Sequence, residues 1–264
     1  MGVPFVSDGW RGLAASPELA VLFTPLDSFR NAHPGEAIVH YDSRDVRRIT
    51  LPPRSNAAAP FTVYCKEIRA LTDAGFHGRE LFSQCKWLFR PSRAVAAFRI
   101  SEALLAAGLA CAEPLLAVRR RRRGVPTDLF ITREVPYPDL WQEPALPPEE
   151  LAHFLAVQTI RMHRCGFAHG DYILRNLCYN PAGSTLILLD NDRTWRPPAI
   201  VRRHYFQRNL AQLCYSLMRR FGGDSPAPAR FLTDYAELSR CSAPEACHRI
   251  LTQCLQRLHR RYPR

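Results

Sequence analysis

The sequence predicts an α+β fold in two lobes, and three observations carry this prediction. Three segments between residues 36 and 68 are rich in β-branched and aromatic residues, and clusters of Pro, Asn and Ser separate them. From residue 148 onward, apolar residues recur mostly with the helical period of about 3.6. A proline-rich connector, 136–148, lies between these regions. A strand-rich region followed by a helix-rich one is typical of α+β proteins.

The first lobe is predicted over residues 36–136, after an irregular lead-in at 1–35 that is rich in Pro, Gly and Ser. Strands are expected in the segments EAIVHY, VRRITLP and FTVYCKEI. A helix is expected between its N-cap Ser92 and its stop Gly108. The segment 112–135 predicts a hairpin, in which a basic turn joins two strands.

The second lobe is predicted over residues 137–264 and is mostly helical. Its first helix is expected in 147–166, with acidic residues near its start and basic residues near its end, as the helix dipole favours. A polar loop follows, and then an apolar strand at 185–189. Further helices are expected at 203–221 and as a shorter pair within 228–261.

Length and composition indicate a globular chain. The 264 residues suffice for one large domain or two lobes, and 47% hydrophobic with 23% charged residues is ordinary for such proteins. The sequence contains no apolar run of about 18 residues and no basic start followed by an apolar stretch. We therefore expect a cytoplasmic chain with neither a transmembrane helix nor a secretory signal.

The net charge is +12, and arginine supplies nearly all of the positive charge: 34 of the 36 basic residues are arginines and only two are lysines. An arginine-rich surface favours phosphate groups on nucleic acid, on anionic lipid or on phosphorylated sugars. The same bias also arises in GC-rich genomes without any functional cause.

Lys66 lies in one of the predicted strands. Alternation places Val63, Cys65 and Glu67 on one face of this strand, and Tyr64 and Lys66 on the other. One interpretation is a surface lysine on an edge strand. The other is a lysine that holds nucleotide phosphates from the middle of a small sheet.

The segment FAHGDYILRNLCYN, 167–180, carries the residues best suited to chemistry. Asp171 precedes Asn176 by five residues on a loop, and the strand 185–189 ends directly before Asp190. Asp171 is suited to accept a proton from a hydroxyl group, while the oxygen atoms of Asn176 and Asp190 are suited to bind magnesium. These groups, together with a lysine on the phosphates, meet most needs of phosphoryl transfer. Each acid alone also fits a turn or a helix cap.

The segments HGDYILRN and LLDND resemble the catalytic loop HRDxxxxN and the DFG motif of the protein-kinase-like fold. This resemblance covers roughly residues 36 to 220. It implies a base at Asp171, magnesium ligands at Asn176 and Asp190, and a histidine at 169 that braces the loop backbone. It also implies that the first lobe is an antiparallel sheet with one helix. The nucleotide-binding positions that it implies in or next to the first lobe are Lys66 and the residues Glu134 and Val135, which would form the hinge between the lobes.

Within that superfamily, the chain most resembles the lipopolysaccharide kinases of the Kdo/WaaP group. Lys66 is the first residue of a K-x-[IY]-R motif in its strand, and a basic segment ending LFRPSRA follows this motif. A helix ending LLAAGLACAEPL is similar to the family's GIPTPRPL ending. MHRCGFAHGD is similar to LHRRGFRHGD, and LLDND to LIDLD. The resemblance implies ATP and Mg²⁺ as cofactors and an enzyme at the cytoplasmic face of the inner membrane.

The chain departs from the kinase pattern at several points. Gly170 replaces the arginine of HRD, and no APE-like segment follows Asp190, which argues against a protein substrate. LPPRSNAAAP stands where a glycine-rich loop is expected before Lys66. Family spacing places the helix glutamate at Ala97, whereas Glu102 at the edge of the apolar arc is the candidate partner of Lys66.

Three further features have two interpretations each. Asp192 is either a second acid at the metal or acceptor, or a solvated turn residue. The arginine run 119–123 is either a solvated hairpin tip or a contact with phosphates or anionic headgroups. The segment CKWLFRPSR, 85–93, is either an interfacial membrane segment or a partly buried basic helix.

Four functions follow, in decreasing order of preference. The first is a kinase that phosphorylates a lipopolysaccharide inner-core sugar, either Kdo or heptose. The second is a kinase of another small hydroxylated molecule, against which the net charge of +12 counts. The third is a pseudokinase that binds anionic lipid or a protein partner. The fourth is a nucleic-acid binder, which is not expected, since the sequence contains no recognition motif of that kind.

Overall fold

The computed structural model describes residues 2–41, 43–52, 60–69, 91–122 and 125–239, together with 249, 250, 252, 253 and 256. The chain divides into two compact units. The first unit comprises Met1–Ala103 with Ala112–Glu134, and the second comprises Leu104–Cys111 with Val135–Arg264. Within the described ranges, no helix combines the length and the apolar content that crossing a bilayer requires.

The first unit is built on an antiparallel sheet of seven strands in the part of the chain described. The strands run in the order β1-β2-β6-β7-β5-β4-β3, so that β5 and β7 lie inside the sheet. Their bounds are β1 Val3–Ser7, β2 Trp10–Ala14, β3 Glu36–Tyr41, β4 Arg44–Leu51, β5 Phe61–Arg69, β6 Pro114–Arg122 and β7 Val125–Arg133.

Helices cover both faces of this sheet. The helices α1 (Pro17–Leu22) and α2 (Leu26–Ala32) lie on one face, where Leu26 joins a core that includes Val63 and Cys65 of β5. The helix α3 (Arg93–Ala106) packs on the other face through a smaller core. The residues of that smaller core are Ala94, Ala97 and Phe98 of α3 with Ala117 and Phe130 of the sheet.

The expected strands, helix and hairpin of the first lobe are confirmed. The helix α3 begins after its N-cap Ser92, whose Oγ accepts a hydrogen bond from the Val95 N–H at 3.2 Å. Gly108 has φ +72°, a conformation that ends helices and that glycine adopts without strain. The strands β6 and β7 form the expected hairpin, and the end of its basic turn, 123–124, lies outside the described residues.

The expectation of an irregular lead-in at 1–35 is wrong, because β1, β2, α1 and α2 all lie there. Asp8 and Gly9 both have positive φ and form a tight turn between β1 and β2. Ser16 caps α1 through a hydrogen bond from the Leu19 N–H to its Oγ at 3.3 Å, and Pro17 occupies the first turn. The Gly, Ser and Pro residues of this segment therefore mark the ends of short elements.

The second unit is mostly helical in its described part. Its helices are α4 (Pro148–Arg164), α5 (Ala199–Phe221) and α6 (Ala227–Ser239), and its strands are β8 (Leu177–Asn180) and β9 (Thr185–Leu188). The strands β8 and β9 form an antiparallel pair. The expected helices α4 and α5 and the strand β9 are confirmed, although α5 begins earlier than expected. The strand β8 was missed, and the predicted helical region after α6 lies mostly outside the described residues.

Candidate functional site

A polar loop between α4 and β8 begins at a short backbone bridge. The N–H and the carbonyl oxygen of Ala168 both bond to Trp195, at 2.9 and 3.1 Å, so the loop is paired with the chain that precedes α5. The loop ends in a 3-10 turn, Leu174–Asn176, which leads directly into β8. Both ends of the loop are therefore set by backbone hydrogen bonds.

His169 ties this loop to the chain that follows β9. Its Nδ1 accepts a hydrogen bond from the Asp171 N–H at 3.1 Å, and its Nε2 lies 2.8 Å from the carbonyl oxygen of Leu189. Since a carbonyl oxygen only accepts, Nε2 carries the proton and the ring is neutral. Burial lowers the pKa of His169, which favours the same neutral form. A neutral imidazole thus holds the two segments together.

Asn209 on α5 holds His169 from the other side. Its Oδ1 accepts a hydrogen bond from the His169 N–H at 2.9 Å, and its Nδ2 donates to the His169 carbonyl oxygen at 2.6 Å. Asn209 and His169 are both buried, so each satisfies polar groups that water does not reach. Sequence reasoning missed Asn209.

Two further residues of α5 hold the same loop. Gln212 Oε1 accepts a hydrogen bond from the Tyr172 N–H at 3.3 Å, and Ser216 Oγ accepts one from the Leu174 N–H at 3.1 Å. Together with Asn209 they form a polar stripe at spacings of three and four residues along an otherwise apolar helix face. This spacing was the sequence signal for a helix that clamps a loop.

The structure brings the three predicted residues of this loop and strand end together. Asn176 Nδ2 donates to the Asp171 carbonyl oxygen at 2.8 Å and lies 3.4 Å from the Asp171 carboxylate Oδ2. The Asn176 carbonyl oxygen accepts a hydrogen bond from the Leu189 N–H at 2.9 Å, and Asp190 is the next residue. The Asp171 side chain is exposed, and Asn176 and Asp190 are half-buried.

Asp190 has a strained backbone. Its φ of +51° and ψ of +55° place it in the left-handed region, which few residues other than glycine adopt. Aspartate is among those that tolerate it, and a 3-10 turn, Asn191–Arg193, follows at once. Backbone strain of this kind is concentrated at functional sites, where the surrounding structure holds it in place.

Gly170 permits a close approach between the loop and this 3-10 turn. A Cβ atom added at Gly170 would lie 2.1 Å from the Arg193 Cβ and 2.8 Å from its backbone carbonyl group. Any side chain here would push the turn after Asp190 away from the loop. The close approach of Arg193 therefore requires glycine at this position.

The residues at this place can supply only part of the coordination shell of a magnesium ion. Since Asn176 Nδ2 donates to the Asp171 carbonyl oxygen, Oδ1 is the amide atom that would coordinate a cation, with the Asp190 carboxylate as second ligand. No group of three or more His, Cys, Asp or Glu side chains that could hold a metal occurs in the described part of the chain. Magnesium accepts such sparse protein ligation when phosphates and waters complete its shell.

The first unit carries Lys66, which lies on an inner strand of the sheet and not on an edge strand. Val63, Cys65 and Glu67 are buried and Lys66 is half-buried, which confirms the predicted alternation. Phe130 stands opposite Lys66 on β7 and belongs to the core beneath α3. Lys66 therefore lies on the sheet face that α3 covers.

The two candidate glutamates of the first unit have different environments. Glu134 accepts hydrogen bonds from Arg48 Nε at 2.7 Å and from the Tyr64 hydroxyl at 3.4 Å, and the Arg48 bond lowers the pKa of Glu134. Glu102 is half-buried on α3, whereas Ala97, the position that family spacing indicates, is packed in the core.

One predicted residue lies at the division between the units, and two predicted segments lie wholly or partly outside the described residues. Val135, predicted at the hinge, is the first residue of the second unit after the division at Glu134. The segment 53–59, where a glycine-rich loop was sought, and the stretch 85–90 of the basic aromatic segment lie outside the described residues.

No protein-family model matches the chain, and the curated proteins compared with it include no significant match.

Proposed function

We propose that the chain is an ATP-dependent kinase that phosphorylates a hydroxyl group of a lipopolysaccharide inner-core sugar, either Kdo or heptose. The observation that carries this proposal is the joining of Asp171, Asn176 and Asp190 through the neutral ring of His169 and the bond between Asn176 and Leu189. A turn former or a helix cap needs no such connection to a second segment.

The roles of the residues follow from their chemistry. Asp171 is an exposed carboxylate, and it accepts the proton of the acceptor hydroxyl as the hydroxyl oxygen bonds to the γ-phosphorus and the bond to ADP breaks. Asn176 and Asp190 would hold Mg²⁺, which would neutralise the charge of the phosphates when bound. Lys66 is assigned to the nucleotide phosphates, and His169 positions the loop without touching the reactants.

The acceptor class rests on the resemblance and on charge. Inner-core sugars carry carboxylate or phosphate groups, and the net charge of +12 suits such an acceptor better than a cationic one. The lack of an APE-like segment after Asp190 argues against a protein acceptor.

The first test is calorimetry of ATP binding with and without Mg²⁺. We expect binding that requires Mg²⁺ in the wild type and in Glu237→Ala, a control that removes an exposed carboxylate of α6, and not in Asp190→Ala. Absence of nucleotide binding in the wild type contradicts the proposal and favours a pseudokinase.

The second part of the test measures transfer of labelled phosphate from ATP to core oligosaccharides. Asp171→Ala should retain ATP binding and lose transfer by about 100-fold or more, since a general base contributes that much. Full transfer by this variant contradicts the role of Asp171. Transfer only to other small alcohols would support the kinase activity but contradict the proposed acceptor.

A further inference from the structure

The start of α5 projects apolar and basic side chains into solvent. All six residues from 199 to 204 are exposed, and Ile200 is 93% exposed. Val201 beside it and Trp195 just before the helix are also exposed. Single exposed apolar residues are common on proteins, whereas three within seven positions leave apolar area in water that a partner would cover.

Two local contacts hold the chain before α5 against the start of the helix. The Trp195 ring packs edge-to-face against Tyr205 at 4.8 Å, and Arg202 Nε donates to the Pro197 carbonyl oxygen at 3.3 Å. The chain before α5 is thereby folded against the first turns of the helix. The α5 patch is defined as the exposed apolar and basic residues of this short segment, namely Trp195, Arg196, Ile200, Val201, Arg202 and Arg203.

The chain segment that carries the patch is basic. Seven arginines and no acidic residue occur between Asp192 and Asp224. In the patch itself, Arg196, Arg202 and Arg203 are exposed. A segment that is basic throughout favours an anionic partner.

The combination of basic and apolar side chains distinguishes between possible anionic partners. A phosphate backbone of nucleic acid would satisfy the arginines but would leave Ile200 and Val201 in water. At a bilayer interface, aliphatic side chains enter the acyl boundary, a tryptophan lies at the headgroup level, and arginines contact anionic headgroups. We propose that the α5 patch docks the protein on the surface of an anionic phospholipid bilayer.

Docking at this patch would bring the candidate catalytic loop close to the membrane. Ala168 at the start of that loop is bonded to Trp195, and Arg193 packs against Gly170, the neighbour of Asp171. The sugar part of a membrane-anchored acceptor would therefore be the part that reaches Asp171. The docking itself does not rest on the proposed function.

The test is sedimentation of the protein with vesicles of phosphatidylglycerol and phosphatidylcholine, or of phosphatidylcholine alone, without nucleotide. The double variant Ile200→Ser/Val201→Ser probes the apolar part. Its control is Val21→Ser, which removes a valine that is 76% exposed on α1. The double variant Arg202→Gln/Arg203→Gln probes the basic part. Its control, Arg121→Gln/Arg122→Gln, removes two exposed arginines at the end of β6.

We expect binding to the anionic vesicles alone. Removing the apolar pair should weaken it roughly tenfold or more. Removing the Arg202 and Arg203 charges should weaken it by about fivefold per arginine. Both control variants should bind like the wild type.

Three results would overturn the proposal. Equal losses in the Arg121/Arg122 control would mean a diffuse electrostatic attraction. Unchanged binding of Ile200→Ser/Val201→Ser would mean that the apolar residues do not enter the bilayer. No vesicle binding, with self-association that the Ile200→Ser/Val201→Ser variant abolishes, would assign the patch to a second copy of the chain. Because nucleotide is absent, none of these results bears on the kinase proposal.

Discussion

The sheet of the first unit and the loop of the second unit hold their buried polar groups by different means. In the sheet of the first unit, carboxylates are paired with arginines. Asp128, for example, is buried and accepts hydrogen bonds from Arg119 at 2.8 and 2.9 Å. Around the loop of the second unit, the buried groups are neutral, and side chains such as His169 and Asn209 bond to the backbone.

This difference reflects what each region must hold. A buried charge needs a paired charge, and a regular sheet can carry such pairs because its backbone groups already bond to the neighbouring strands. A loop lacks ladder hydrogen bonds, so its backbone groups must be satisfied by side chains. Neutral side chains do so without the cost of burying a charge. The loop geometry should therefore be insensitive to salt and sensitive to the loss of single hydrogen-bonding groups.

The largest effect is expected from Asn209→Leu. This change leaves the buried N–H and carbonyl oxygen of His169 without their Asn209 partner and should lower the free energy of unfolding by about 3 kcal/mol or more. Urea denaturation measures it. The control Asn180→Ala removes a bond to the Ala182 N–H on an exposed turn and should cost about 1 kcal/mol or less. Equal costs in both variants would contradict the special role of the neutral network.

The pH dependence of stability should come next in size. His163 stacks on Phe206 at 3.8 Å and bonds to the Tyr235 hydroxyl, and burial lowers its pKa to about 3, from 6.5. As the pH falls from 6.5 toward 3, the unfolded chain binds a proton that the folded chain does not. Stability should therefore fall by about 1.4 kcal/mol per pH unit from this group.

The carboxylates of the first unit respond in a lower range. Arg48 lowers the pKa of Glu134 from 4.5, so its contribution is complete above pH 4.5 and is lost below it as the pH falls. Between pH 6.5 and 4.5 the loss therefore reports on buried histidines. Urea denaturation across this range should show a smaller slope in His163→Gln than in the wild type. An unchanged slope would contradict a neutral, buried His163.

The smallest effect is expected from Glu134→Gln, which breaks the partly exposed pair with Arg48. Such pairs contribute little and are screened by salt. The urea midpoint should fall slightly at about 0.1 M NaCl and not at about 1 M NaCl, where the screening length is about 3 Å. The cost of Asn209→Leu should be the same at both concentrations. A salt-independent cost for Glu134→Gln would remove the distinction between the two regions.

The elements that the sequence predicted correctly share one property. The strands β3, β4 and β5, the helices α3, α4 and α5, and the β6–β7 hairpin each carry a periodic apolar pattern or a run of apolar and β-branched residues, with recognisable ends. The missed elements are short: α1 and α2 have six and seven residues, and β8 has four. Patterns of this length contain too few repeats to stand out from the Gly, Ser and Pro around them, although the Asp8–Gly9 pair was a readable hairpin signal.

The candidate site divides in a similar way. Asp171, Asn176 and Asp190 were found from residue type, order and spacing, because five residues of chain are enough to return Asn176 to Asp171. Asn209 was not found, since it lies forty residues beyond the histidine that it holds. One polar residue on a helix looks the same in sequence whether it faces water or a loop, and only its spacing to Gln212 and Ser216 on an otherwise apolar face was a signal.

By itself, the sequence determined the α+β class, the main helices and strands, and the residue types that suit phosphoryl transfer. These are local properties, set by periodicity and by the chemistry of neighbouring side chains. Only the tertiary structure decided that His169 is neutral, that Asp190 takes a left-handed backbone, that Gly170 has no room for a side chain, and that Ile200 is left in solvent. Each of these depends on contacts or burial between segments distant in the chain, which no local pattern encodes.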